Sequence, residues 1–142
     1  MRIWHEQLIP KLCQKHLCAM WREGLGAYKI ITENKKGYKN HPAVKEFEHS
    51  PAALFNRMLK VRFEMLSRNY NPKPIFPRHH NKNGSVNEWQ TLEEQINILR
   101  LKNCKCMINE ITIEEVKLTA REREELLDEK IRHEINSENL LA

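Results

Sequence analysis

Glycine is scarce, at four residues in 142, and none of the four belongs to a Gly-rich loop able to cradle phosphates. Nucleotide hydrolysis on a P-loop is therefore excluded. Long hydrophobic runs are missing as well: the longest spans a few residues, far short of the roughly 20 that cross a bilayer. The opening Met1-Arg2-Ile3-Trp4-His5-Glu6 carries no apolar signal region, so a cytoplasmic protein without membrane association is expected. In that compartment Cys13, Cys18, Cys104 and Cys106 are expected as reduced thiols. No alternating strand pattern occurs, since Ile111-Thr112-Ile113 is too short to outvote the helix cap it overlaps. Acidic residues are sparse in the first 80 positions, where 15 Lys+Arg face 6 Asp+Glu.

What is present fits one domain of ordinary size spanning residues 1–142, with 40% hydrophobic and 30% charged residues. The first 80 residues carry a charge of +9 and six of the seven histidines, whereas residues 81–142 carry −4. A basic half of this kind suits a polyanion, most simply nucleic acid, because each phosphate contact releases condensed counterions. A merely solvated basic surface is the competing explanation.

Apolar spacing is helical throughout. Leu12, Leu17, Met20, Trp21 and Leu25 form one face of a first helix reaching about Ile31, with loosening expected at Gly24 and Gly26. Asn34 to Asn40 reads as a polar, basic loop containing Lys35, Lys36 and Lys39. Ser50-Pro51 is a helix start, with serine as N-cap and proline at the first helical position. Its stripe of Leu54, Phe55, Met58, Leu59, Phe63 and Leu66 ends near Arg68, before Asn71-Pro72-Lys73-Pro74. Residues 75–87 read as a connector with a turn at Asn83-Gly84. Two capping boxes follow: Thr91-Leu92-Glu93-Glu94 opens a helix with Ile96 and Leu99, and Thr112-Ile113-Glu114-Glu115 opens an acidic last helix. The sum is an all-α domain of four to five helices with the N-terminal segment packed across them.

Metal chemistry has little support at this level. Cys104-Lys105-Cys106 has one intervening residue where zinc pairs usually have two to four, and no second cysteine pair follows. His79 and His80 are adjacent, so on extended chain they point to opposite faces. Cys13 and Cys18 read as packing residues of the first helix, and neither a metal nor another cofactor is expected. On that helix His16 and Glu23, seven residues apart, project from nearly the same face at roughly 10.5 Å, with Arg22 on its flank. Trp4, Trp21, Tyr28 and Tyr38 are candidates for stacking on bases, with Trp21 better suited to the core.

The run His16-Leu17-Cys18-Ala19-Met20-Trp21-Arg22-Glu23, preceded by Met1-Arg2-Ile3, resembles the bacteriophage pyrimidine dimer DNA glycosylase/AP lyase family. The opening Arg2 to Leu12 is also similar to bacterial relatives of that enzyme. The resemblance covers roughly residues 1–75, the glycosylase-like basic part, and includes the Ser50-Pro51 helix start; residues 76–142 form a divergent helical part. It implies double-stranded DNA as substrate and the chain's own α-amine, here that of Met1, as nucleophile. Attack on sugar C1′ gives a Schiff base, and β-elimination then breaks the strand. An α-amine titrates near about 7.7–8.0, against about 10.4 for lysine, so a sizeable fraction is unprotonated at neutral pH without burial. The resemblance further implies that Glu23 steadies the developing cationic sugar and moves a proton. Arg22 would hold phosphates, and Arg2 and His16 would position the lesion strand.

The chain departs from the family in two places. The family has an arginine three residues after the glutamate, where this chain has Gly26, and Lys29 stands one turn further on. The family's aromatic and basic C-terminal segment has no counterpart in Glu134 to Ala142, so the acidic last helix reads as a packing surface or a site for a protein partner. Two functions fit: a DNA-repair glycosylase with lyase activity, or a non-catalytic nucleic-acid-binding or interaction protein on the same scaffold.

Overall fold

The computed structural model describes residues 1–75 and 82–108. The expected helix at Thr112-Ile113-Glu114-Glu115, the acidic last helix and the His79-His80 pair lie outside these residues. Among the described residues the fold is entirely helical, as the periodicity requires: a 3₁₀ helix over Glu6–Lys11 and four α-helices, α1 (Gln14–Thr32), α2 (Pro42–Phe47), α3 (Pro51–Ser67) and α4 (Leu92–Leu101). No helix among them is long and apolar enough to cross a membrane.

The centre of the molecule is the packing of α1 on α3. Leu17, Met20 and Tyr28 from α1 meet Leu54, Phe55, Met58 and Leu59 from α3, and the Tyr28 and Phe55 rings lie 5.7 Å apart. Burying each such Leu or Met contributes about 2 kcal/mol. The apolar face of α1 turns toward Ala27 and Tyr28, both buried, rather than toward Leu25, which is half-buried. Gly24 explains the shift. A β-carbon there would lie 2.6 Å from Met58 Cε and nearer still to its Sδ, so the missing side chain admits Met58 against the α1 backbone. The helix does not loosen at Gly24 or Gly26; it runs unbroken to Thr32.

α3 begins at Pro51 with Ser50 as its N-cap residue, and Arg68 closes it. The Ser50 hydroxyl donates to Asn83 Oδ1 at 3.4 Å instead of capping the helix. Its stripe ends on Met65, at 6% exposure, and not on Leu66, at 39%. Glu64 shares that buried face because Arg68 Nε donates to its Oε1 at 2.9 Å. The same guanidinium donates to the carbonyls of Leu12 at 2.7 Å and Pro10 at 3.2 Å, fixing the end of the 3₁₀ helix.

Two features escaped the periodicity. The short helix α2 is too brief to show a face; His41 caps it, with Nδ1 accepting from the Ala43 N–H at 3.1 Å. Asn83-Gly84 makes no turn: residues 82–88 carry no regular structure and run beside the α2–α3 junction. The Asn87 N–H donates to the Glu46 carbonyl at 2.9 Å. Gly84 is needed there for close approach, since a β-carbon would overlap the His49 carbonyl. α4 opens as its capping box requires, with Thr91 Oγ1 accepting from the Glu94 N–H at 3.1 Å.

Candidate functional site

The N-terminal segment lies over the helices, held by burial of Ile3 and Trp4 at 2% and 3% exposure. With its apolar side chains inward, the backbone of residues 2–5 comes within reach of polar groups on three elements. The Arg2 N–H donates to Glu23 Oε2 of α1 at 2.7 Å. The Trp4 carbonyl accepts from Arg57 Nη1 of α3 at 3.5 Å. The His5 N–H donates to Gln95 Oε1 of α4 at 2.6 Å, and His5 Nδ1 accepts from the Gln7 N–H at 3.2 Å, capping the 3₁₀ helix.

These contacts bring the first peptide unit to the Glu23 carboxylate. The Met1 α-nitrogen is three covalent bonds from the Arg2 nitrogen, which itself touches Glu23, and the Met1 side chain is half-buried against the core. The Arg2 guanidinium folds between two indoles, 4.7 Å from the Trp4 ring and 5.0 Å from the Trp89 ring, and donates to Gln90 Oε1. Burial pulls the Arg2 pKa below its ordinary value, with Glu23 acting in the opposite direction. A guanidinium so far above neutrality keeps its charge regardless. The arrangement is a carboxylate, the first peptide unit and a cation at one edge of α1.

Arg22 and Lys29 are exposed on α1, and Lys35, Lys36 and Lys39 are exposed on the loop that follows it. Lys35 pairs with Glu33 across 3.5 Å, a surface pair of small energetic consequence. That loop needs left-handed backbone at Asn34 (φ 50°) and Tyr38 (φ 59°). Of the four aromatic residues considered for base stacking, Trp4, Trp21 and Tyr28 are core, and Tyr38 alone is exposed, at 71%. Among the described residues, nothing beyond its own turns of α1 lies within 4 Å of where a Gly26 β-carbon would stand, so the position of the family's arginine faces open space there.

His16 keeps different company from Arg22 and Glu23. Its ring meets Trp4 edge-on at 5.8 Å, and its Nδ1 lies 3.3 Å from Cys13 Sγ and 3.2 Å from Cys106 Sγ. Cys104 joins them, so that four donor atoms fall within 4.8 Å of one another. Burial, then Lys102 and Lys15, lower the His16 pKa, leaving a neutral imidazole at pH 7. Burial pushes the Cys106 thiol up to about 12. Burial also opposes charge on Cys13, but hydrogen bonds from the His16 backbone and from Cys106 outweigh it and bring that thiol below its ordinary value. Cys13, read as a packing residue of the first helix, and the Cys104-Lys105-Cys106 pair, set aside for its spacing, therefore belong to one cluster. A search for paired cysteines passes over it, because its partners are Cys13-x-x-His16 on one segment and Cys104-x-Cys106 on another.

Several residues that shape the N-terminal site carry no sequence signal of their own. Trp89, Gln90 and Gln95 act from about 90 positions away. Glu46, at 2% exposure, pairs with Arg57 at 3.2 Å, and burial raises its pKa despite that partner.

Among known proteins, the family described as pyrimidine dimer DNA glycosylase matches residues 1–77, the stretch that contains the N-terminal segment, Arg22-Glu23, the basic loop and all of α3. No curated protein and no solved structure matches the chain.

Proposed function

The chain belongs to the pyrimidine dimer DNA glycosylase family, and from that premise we propose that it excises damaged bases from duplex DNA and nicks the strand as an AP lyase, with pyrimidine dimers or abasic sites as substrates. The Met1 α-amine lone pair attacks sugar C1′ and displaces the base, or at an abasic site the hydroxyl as water; the sugar ring then opens, with O4′ taking up a proton, to give the iminium. The resulting iminium makes a C2′ proton acidic, and its loss expels the 3′ phosphate by β-elimination. Glu23 stabilises the cationic sugar and carries the proton.

The observation that carries this reading is the 2.7 Å hydrogen bond from the Arg2 N–H to Glu23 Oε2, which ties the first peptide unit to the only acid of that stretch of α1. A peptide N–H donated to a carboxylate leaves the other carboxylate oxygen for chemistry. Arg2, stacked between Trp4 and Trp89, holds a positive charge beside the scissile sugar. Arg22, Lys29, Lys35, Lys36 and Lys39 bind phosphates along the duplex. His16 has its Nδ1 committed to sulfur, so its contribution to the lesion strand runs through its edge contact with Trp4. Damaged duplex is the natural substrate because extruding a nucleotide costs least where stacking is already lost.

The open position at Gly26 favours one second reading, a scaffold that binds DNA without cutting it. Glu23→Gln separates the two. The amide oxygen still accepts the Arg2 N–H, so the terminus stays in place while the charge is lost. On duplex carrying an abasic site or a thymine dimer, the wild type is expected to nick the strand and Glu23→Gln to lose at least about 10²-fold in rate, with DNA affinity kept. Absence of nicking by the wild type at any enzyme excess supports the binding scaffold.

A further inference from the structure

We propose that Cys13, His16, Cys104 and Cys106 form a structural metal centre that holds one zinc ion and joins the start of α1 to the segment after α4. The inference does not depend on the DNA chemistry above, and each stands or falls separately.

The donor set comes first. Three thiols and one imidazole nitrogen make a Cys₃His set, a common closed zinc combination. Their donor atoms all lie within 4.8 Å of one another, which leaves room for a single ion. Tetrahedral zinc with metal–donor distances of 2.0–2.3 Å separates nitrogen from sulfur by about 3.5 Å. The His16 Nδ1 contacts to Cys13 and Cys106, at 3.3 and 3.2 Å, need only a few tenths of an ångström of adjustment.

The backbone is arranged for the same purpose. Cys13 is the N-cap residue of α1 and His16 lies in its first turn, three positions on, so both side chains leave the helix on one side. The Cys13 N–H donates to Cys106 Sγ at 3.0 Å, the kind of outer hydrogen bond that orients and steadies a thiolate ligand. The Met107 N–H donates to the Lys11 carbonyl at 2.9 Å, holding the second segment against the first. Three thiolates on Zn²⁺ leave one negative charge, and Lys15 and Lys102 both act on His16 through their charge. Four protein ligands leave no open position for water, so the centre is structural and not catalytic.

Its place in the chain gives it a purpose. Cys106 and Ile108 are buried, but Met107 is 60% exposed and Leu101, at the end of α4, 89%, so the described residues after α4 have little apolar surface with which to dock. Cys13 and Cys106 are 93 residues apart, and Cys104 and Cys106 lie beyond the residues that the family shares. The ion would pin this divergent part onto the stretch that matches the family. It would also brace His16 against Trp4, and through Trp4 the stacked Arg2.

The test is metal analysis of the full-length protein purified without chelator, together with titration of the metal-free protein with Co²⁺. One zinc per chain is expected, with tetrahedral cobalt bands and thiolate-to-cobalt charge transfer that zinc abolishes. Stripping the metal should lower Tm. Cys106→Ser should bind cobalt without the full three-thiolate charge transfer and should lose its Tm response to chelator, whereas Cys18→Ser, outside the cluster, should behave as wild type. The wild-type cobalt spectrum decides the matter even where Cys106→Ser fails to fold. A folded wild type that takes up neither zinc nor cobalt, or one whose cluster thiols are found as a disulfide, overturns the proposal, as does iron in place of zinc.

Discussion

At the scale of the residue, two glycines two positions apart on α1 have opposite roles. Gly24 lies against Met58, where a β-carbon would overlap the sulfur, while Gly26 faces open space. Gly24→Ala gains helix propensity of about 1 kcal/mol but overpacks a fully buried neighbour, which costs about 1–3 kcal/mol. A net loss of about 1 kcal/mol is expected in urea denaturation, and it should shrink when Met58 is also cut to Ala. Gly26→Arg meets no obstacle. It should stabilise the protein by nearly the propensity difference and steepen the salt dependence of DNA binding by about one unit of log–log slope. An unchanged slope would mean that this turn of α1 does not face the duplex.

At the scale of the element, the N-terminal segment depends on Arg57, which reaches both the Trp4 carbonyl and Glu46. Removing the cation leaves a carboxylate at 2% exposure without its partner, so Arg57→Met should cost about 3 kcal/mol at pH 7. Burial already raises the Glu46 pKa, and loss of Arg57 raises it further. The folded protein then binds a proton more readily than the unfolded chain, so stability falls as pH climbs above the ordinary carboxylate range and returns on acidification. The deficit of Arg57→Met relative to wild type should therefore be smaller near pH 5 than at pH 7, and a larger deficit at pH 5 would contradict this account. None of this brace was visible in the sequence, because it joins elements distant along the chain. What was legible is what local chemistry dictates: α1 and α3 from their periodicity, the Ser50-Pro51 start, the Thr91 cap and the all-helical class. Gly24 and Gly84 were misread as a loosening and a turn because a glycine required by a neighbour's close approach looks the same, in sequence, as one required by a bend. The contact of residue 2 with Glu23 was legible only as something the resemblance implied; spacing on one helix cannot bring residue 2 to residue 23.

At the scale of the whole molecule, the basic charge of the first half of the chain includes the exposed lysines of the loop after α1. Reversing Lys35, Lys36 and Lys39 to Glu should weaken binding to undamaged duplex and make log Kd less sensitive to log salt by up to about three units of slope, while leaving Tm nearly unchanged because these side chains are exposed. Retained affinity with an unchanged salt slope would place the DNA elsewhere. The central claim, however, concerns the chain terminus next to Glu23, and borohydride trapping tests it most directly. Duplex DNA with one abasic site is incubated with the wild-type protein and borohydride, the adduct is digested, and the modified peptide is located by mass spectrometry. The account predicts a reduced Schiff base on the α-nitrogen of Met1, and no adduct once that amine has been selectively blocked. An adduct on a lysine side chain, or efficient strand cleavage with no adduct at all, would contradict it.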